Sequence, residues 1–215
     1  MEKTTILLVR HGESEGNTLG VFTGHSGYPL TEMGHKQAEL TGEYISKNYS
    51  VDAVYSSDLP RAFQTAEHIA AKFDLPVVTD CNFREINAGK WENRPFGELV
   101  HLFPEDFGIW KNDIANARCT GGESVREVAE RMVGALIKVA TNHPGQCIVV
   151  VAHATPIGTA MVVCADTPSA APGGRSWGSN CAVNELVFMD GRLRVVSEYY
   201  DGHLAGFISE LPKDI

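Results

Sequence analysis

Two histidines stand directly after apolar runs: His11 follows Ile6-Leu7-Leu8-Val9 and Arg10, and His153 follows Ile148-Val149-Val150-Val151-Ala152. Both runs are predicted to be buried strands of a parallel sheet. In an open parallel sheet the carboxyl ends of the strands form the ligand crevice, so distant parts of the chain can deliver both imidazoles to one site. Arg10, beside the first histidine, points to an anionic substrate.

Arg61 supplies a second guanidinium. It lies in the stretch Tyr55 to Ala66, after a predicted short strand at Val51 to Tyr55. Asp58 is expected to be the N-cap of the next helix, and Pro60 suits its first turn. Arg61 would then sit near a helix N-terminus, where unpaired N–H groups favour phosphate. Planar guanidinium forks match phosphate oxygens two at a time, so two of them with two imidazoles would line a cationic pocket.

With these residues in order, the sequence resembles the histidine phosphatase superfamily, which has the phosphoglycerate mutase-like fold. The resemblance rests on Arg10-His11-Gly12-Glu13 with Asn17, on Ser56-Ser57 through Arg61 and Gln64-Thr65-Ala66, and on Glu85 before Gly89-Lys90-Trp91-Glu92. Gly122-Glu123-Ser124 and Val151-Ala152-His153 complete it, and the blocks span Thr5 to Leu204. It implies that His11 is a nucleophile phosphorylated on a ring nitrogen, with Arg10, Arg61 and His153 holding the phosphoryl oxygens and Asn17 adding a neutral donor. A loose phosphoryl-transfer transition state leaves the protein mainly positioning and charge stabilisation to supply, which such a ring of donors fits. The leaving alkoxide needs a proton, which a carboxylic acid kept protonated by neighbouring anionic charge can give; Glu85 holds the family position for it.

Other chemistries fit poorly. His11-Gly12-Glu13 has no His-x-x-x-His or Cys-x-x-Cys spacing around it, and the arginines would repel a cation, so neither metal nor cofactor is expected. Gly20, Gly24 and Gly27 fall in a loop without the P-loop lysine pattern, which reads as a mobile active-site loop. Thr23 and Gly24 there, and the backbone of Ala154 after the second histidine, join the expected substrate contacts. Ser14, Ser56 and Ser57 lack the acyl-transfer elbow. Glu13 reads as a local hydrogen-bonding residue or a second proton carrier. His25, His35, His68, His101, His143 and His203 have no motif around them.

At 215 residues and 43% hydrophobic content the chain can bury a sizeable core as one domain, 1–215. A formal charge of -9 argues against nucleic-acid or anionic-membrane binding, which leaves a small phosphomonoester as the expected partner. Five cysteines without metal spacing, and no signal-like stretch after Met1, point to the cytoplasm.

Strand and helix signals alternate, the pattern of a three-layer α/β sandwich with a mostly parallel sheet. Helices are expected over Thr31 to Tyr49 and from about Leu59 to Phe73, and a short strand over Pro76 to Thr79. Ser124 and Glu127 form a capping box before the stripe Val125, Val128, Met132, Leu136 and Ile137. Pro156 suits the first turn of a helix after His153, whose N–H groups would add to the phosphate site. Asp190-Gly191 between Glu185 to Met189 and Leu193 to Glu198 signals a hairpin. The segments Asn17 to Leu30 and Ile86 to Gly121, the second irregular, are the expected substrate-reading elements. His25, Tyr28, Lys90, Arg94, Trp110 and Arg118 there are weighed as leaving-group contacts, with surface packing favoured for each. Pro172 to Gly178 reads as a flap, with Trp177 equally suited to an oligomer contact that leaves room for a homodimer.

Two departures from the family pattern bear on function. Ala154 stands where glycine commonly follows the second histidine. Ile86-Asn87-Ala88-Gly89-Lys90-Trp91-Glu92 resembles the phosphatase branch, whereas cofactor-dependent mutases usually carry Arg-His-Tyr-Gly there and a paired-arginine segment further on; only Arg118 lies near that place. The expectation is therefore a phosphomonoester phosphatase. A phosphoglycerate-type mutase is the alternative, and a silent phospholigand-binding module is less favoured.

Overall fold

The computed structural model describes residues 2–165 and 177–209. Its strands are β1 (Thr4–Arg10), β2 (Ala53–Ser56), β3 (Val77–Thr79), β4 (Cys147–Ala152), β5 (Val183–Met189) and β6 (Arg192–Tyr200). They form one sheet in the order β3-β2-β4-β1-β5-β6. The pairings β3–β2, β2–β4 and β4–β1 are parallel; β5 runs against both β1 and β6 and is the reversed strand.

Side chains alternate across a strand, and β1 shows what each face meets. Ile6 and Leu8 join Ile148, Val150, Met132, Leu136, Ile157 and Met161 on one side. Leu7 and Val9 join Val149, Val151, Ile45, Ala62 and Ile69 on the other. The first set belongs to helices α6 (Val125–Asn142) and α7 (Ala154–Cys164), the second to α2 (Glu32–Asn48) and α3 (Pro60–Ala70). Helices thus cover both faces, as the continuous apolar runs of a doubly buried sheet require.

Register fixes the active edge. Arg10 pairs with Ala152, Val9 with Val151, and Ser56 with Val151, so β1 and β4 stop at one level and β2 one residue short of it. The next residues, His11, His153 and Ser57, leave the sheet at the same edge. Backbone N–H groups of His11 and Ser57 donate to Ala152 O and Val151 O, continuing the ladder one step past the strands.

The Ser124–Glu127 capping box is present, and the core stripe of α6 is as expected, with Ile137 partly buried and Ala135, Val139 and Ala140 added to it. Thr31 caps α2 and does not open it. Asp190 and Gly191, both at positive φ, turn the β5–β6 hairpin. Two expectations need correcting. Asp58 does not cap α3: Leu59 holds that position without a side-chain bond, and Asp58 is exposed and forks onto Arg84. The stretch 86–121 is not irregular. It holds α4 (Phe96–Leu102), α5 (Pro104–Asn112) and a separate core of Phe22, Trp91, Leu99, Phe107 and Trp110.

Two glycines let α2 lie against the chain just past His11. A Cβ on Gly34 would come 2.0 Å from Glu13 O, and one on Gly12 would come 2.5 Å from Gly34 O. Neither backbone can yield alone. Gly34→Ala is therefore expected to destabilise by about 3 kcal/mol or more, lowering the thermal midpoint by roughly 6–12 °C. Gly134→Ala, at an exposed position of α6 with nothing within 4 Å of the added carbon, should instead stabilise by about 0.5–1 kcal/mol. Calorimetry of both variants checks the contrast, and equal midpoints would refute the close-approach account.

Candidate active site

His11 is buried, and its Nδ1 lies 2.7 Å from Gly12 O. A carbonyl only accepts, so the ring proton sits on Nδ1 and Nε2 carries the lone pair. The backbone here is over-determined: Gly12 N donates to Thr65 Oγ1 at 3.0 Å, and Asn180 Nδ2 donates to His11 O at 3.0 Å.

Arg61, fully buried in the first turn of α3, points Nε at His11 Nε2 from 3.3 Å. Its other two nitrogens donate to Ser26 O and Gly24 O, both at 2.9 Å. Gly24 has φ +47°, and a Cβ there would meet Glu92 Oε1 at 2.7 Å, so this carbonyl needs glycine to reach the guanidinium. Arg10 donates from Nη1 to Gly178 O at 2.6 Å, while its Nε is buried with no partner.

The His153 ring centroid is 5.0 Å from that of His11. Its Nε2 lies 2.9 Å from Ser57 Oγ, which already accepts Leu59 N–H at 3.2 Å. The other ring nitrogen, Nδ1, is buried without a partner, as is Arg10 Nε. A tetrahedral oxyanion would satisfy the orphaned Arg10 Nε and, with the ring proton on it, His153 Nδ1.

Glu85 is buried. Ile86 N donates to its Oε1 at 2.8 Å and Thr155 N, in the first turn of α7, to its Oε2 at 3.4 Å. The expectation that this turn serves the phosphate is thus corrected for Thr155, whose N–H faces the carboxylate. Ala154 directly follows His153 as the first residue of α7.

Burial, with the charges of Arg61 and Arg10, holds His11 well below the ordinary imidazole value. Burial, then Arg61 and His11, does the same to His153. Burial also brings Arg10 and Arg61 down to about 10, which leaves both charged at neutral pH. The pocket therefore combines two cations with an unprotonated ring nitrogen that carries a lone pair.

Comparison with known proteins agrees with this arrangement. The signature of the Histidine phosphatase superfamily (branch 1) matches residues 6–201. A relative named phosphoserine phosphatase 1, from Hydrogenobacter thermophilus, is 37% identical over 71% of this chain and 72% of its own. Uncharacterized phosphatase PhoE of Bacillus subtilis is 30% identical over 95% of this chain and 99% of its own. The solved structure of Bacillus stearothermophilus YhfR superposes with a TM-score of 0.87 at 27% identity, covering 94% of this chain and 99% of that one. Relatives named as mutases also occur. The chain belongs to the histidine phosphatase superfamily.

Within this histidine phosphatase, Asn17 closes a capping box with Ser14, and its Oδ1 accepts from Ser14 N, Ser14 Oγ and Asn180 Nδ2. The acceptor end is thus taken up within the protein. Thr23 packs its methyl group against Gly16 and accepts Ser26 N–H through its carbonyl, a loop-closing role. The glycine loop, expected to be mobile, is fastened by Arg61, by Glu92 Oε1 on His25 N and by Asn93 on Ser26 Oγ. Glu13 bonds locally, accepting from Thr31. Trp110 is buried, and Arg118 pairs with Glu127 away from the pocket.

Residues 172–176 of the expected flap lie outside the described residues. Trp177 stacks on Trp110 at 6.2 Å, and so has a partner within the chain. Sequence reasoning missed Asn180 and Thr65 as a partner of Gly12, and it weighed His25 as a leaving-group or packing residue, whereas its Nε2 lies 2.8 Å from Glu85 O. Their ties are long-range hydrogen bonds that leave no local pattern.

The depressed imidazole values carry a sign. Folded values below the unfolded one, near 6.5, mean that stability is complete above that pH and falls as acid protonates the unfolded chain preferentially. The His11 and His153 resonances should remain those of neutral rings from pH 8 to 6 by NMR. Sulfate, whose charge is fixed in this range, should offset the arginines and raise both values. Ordinary titration near 6.5 without anion, or no response to sulfate, would contradict this electrostatic account.

Proposed function

We propose that this protein is a phosphomonoester phosphatase that works through a phosphohistidine at His11 Nε2. The reading is supported above all by the lone-pair-bearing Nε2 of His11, 3.3 Å from the buried Arg61 guanidinium, in a pocket where Arg10 Nε and His153 Nδ1 are buried without partners. Arg10, Arg61, His153 and Asn17 hold the phosphoryl oxygens, with the backbone around Gly24 and Ala154 bordering them and Thr23 shaping the loop. Nε2 attacks phosphorus, the bond to the ester oxygen breaks, and Glu85 gives that oxygen a proton. Water then attacks the phosphohistidine, returns its proton to Glu85 and releases inorganic phosphate. The substrate is a small phosphorylated metabolite, and the chain acts as one domain in the cytoplasm. Among the described residues no helix is long and apolar enough to cross a membrane. The phosphatase outcome is favoured over mutase transfer by the segment after Glu85. Asn87 and Glu123 bond to each other's backbone there, and Arg118 is engaged with Glu127.

Rapid quenching during turnover should trap an acid-labile, base-stable phosphoenzyme, the signature of a phosphorus–nitrogen bond. His11→Ala should abolish it, and chelators should leave turnover intact. Full labelling of the variant, or loss of turnover on chelation, would point to another mechanism.

Glu85→Gln should slow phosphoenzyme formation from alkyl phosphates by about 10²–10⁴-fold while p-nitrophenyl phosphate, whose leaving group departs without a proton, is far less affected. Single-turnover measurement keeps dephosphorylation from hiding the contrast. Equal losses would rule Glu85 out as the acid.

A further inference from the structure

Arg131, on α6, lies outside every motif considered above, yet its guanidinium is wrapped by the segment that carries Glu85. Nη1 donates to Asn82 O and Arg84 O, both at 2.7 Å, and Nη2 donates to Glu85 O at 2.9 Å. Nε donates to Glu123 Oε1 at 2.8 Å and Nη2 to Glu123 Oε2 at 3.0 Å. All five N–H groups of the guanidinium are thereby used. Three go to carbonyls of one short turn ending at Glu85. Glu123 extends the clamp past Glu85, since its Oε2 accepts Asn87 N–H at 2.7 Å and its N–H donates to Asn87 O at 2.9 Å.

The Glu85 side chain is itself held lightly, by its neighbour's N–H and by Thr155 N–H at 3.4 Å. What sets the carboxylate against the pocket is therefore the position of its backbone. The Glu85 carbonyl also meets His25 Nε2 at 2.8 Å, and His25 stands between Gly24 and Ser26, whose carbonyls grip Arg61. One carbonyl thus joins the Arg131 clamp to the loop that orients the phosphate-binding guanidinium. Proton transfer requires hydrogen-bond reach, and a misplacement of about 1 Å costs on the order of 10²-fold in rate.

We propose that Arg131 is a positioning residue for the proton-transfer step: by gathering the carbonyls of Asn82, Arg84 and Glu85 on one guanidinium, it places the Glu85 carboxyl at the leaving oxygen. The inference rests on the reading of Glu85 as the acid. A purely structural clamp would, when broken, reduce the active fraction and slow every substrate alike. A positioning clamp slows substrates in proportion to their need for a proton.

The test is single-turnover phosphoenzyme formation with a series of substituted phenyl phosphates, from p-nitrophenyl to unsubstituted phenyl, on wild type, Glu85→Gln, Arg131→Met and the double variant. Arg131→Met is expected to slow phenyl phosphate by about 30-fold or more and p-nitrophenyl phosphate by about 3-fold or less, steepening the leaving-group dependence as Glu85→Gln does. The double variant should have the slope of Glu85→Gln alone, because the clamp has no further role once the proton is gone. Arg131→Lys keeps the charge but cannot reach the three carbonyls and the carboxylate together. It should steepen the slope in the same direction by about 5-fold or more, and it decides the matter if the methionine variant does not fold. A steep Glu85→Gln slope beside uniform losses in the Arg131 variants overturns the positioning role and leaves Glu85 as the acid. A flat Glu85→Gln slope overturns both.

Discussion

Two guanidinium groups are buried around one imidazole, and the fold answers them with backbone carbonyls rather than carboxylates. Arg61 holds Gly24 O and Ser26 O, and Arg10 holds Gly178 O. Desolvated charges without a direct ion pair are expensive, and Glu85 offsets them only in part from a distance, so this arrangement is sustained by the surrounding structure and favours whatever anion enters. Burial and Arg61 keep both histidines unprotonated, with Arg10 adding to the effect on His11. The neutral imidazole and the cationic pocket are therefore products of one electrostatic condition.

That condition is met because three strands end within one residue of the same level. Parallel pairing of Arg10 with Ala152 and of Ser56 with Val151 delivers His11, His153 and Ser57 at one edge. The paired glycines Gly12 and Gly34 then let α2 press on the backbone beyond His11, and Thr65 and Asn180 fasten it. Packing of this kind leaves the imidazole little freedom, which a nucleophile that must stay aligned requires.

Much of this was legible in the sequence because it is local. Apolar runs of β1 and β4 announce a doubly covered sheet, and the histidines mark where those runs stop. The Ser124–Glu127 box announces α6. The 86–121 stretch escaped because α4 and α5 span only seven and nine residues, too few for helical periodicity to stand out. What organises them is the packing of Trp91 against Phe22, Phe107 and Trp110, contacts that no local window contains. Asp58 failed as a cap for a related reason: Arg84, distant in sequence, offers a bidentate charged partner that outweighs one N-cap bond.

The family motifs point to the residues proposed to bind phosphate, whereas the structure shows how their positions are tied together. Arg61 is oriented by carbonyls of the 24–26 loop, and that loop is held by Glu92 and by His25 on the Glu85 carbonyl. The groups assigned to bind the phosphoryl oxygens and the group assigned to give the proton therefore share one hydrogen-bonded frame. A shift in the loop would move guanidinium and carboxylate together, preserving their separation better than independent supports would. In this frame the glycine loop contributes its backbone, since the carbonyls of Gly24 and Ser26 are committed to orienting the arginine proposed to bind phosphate.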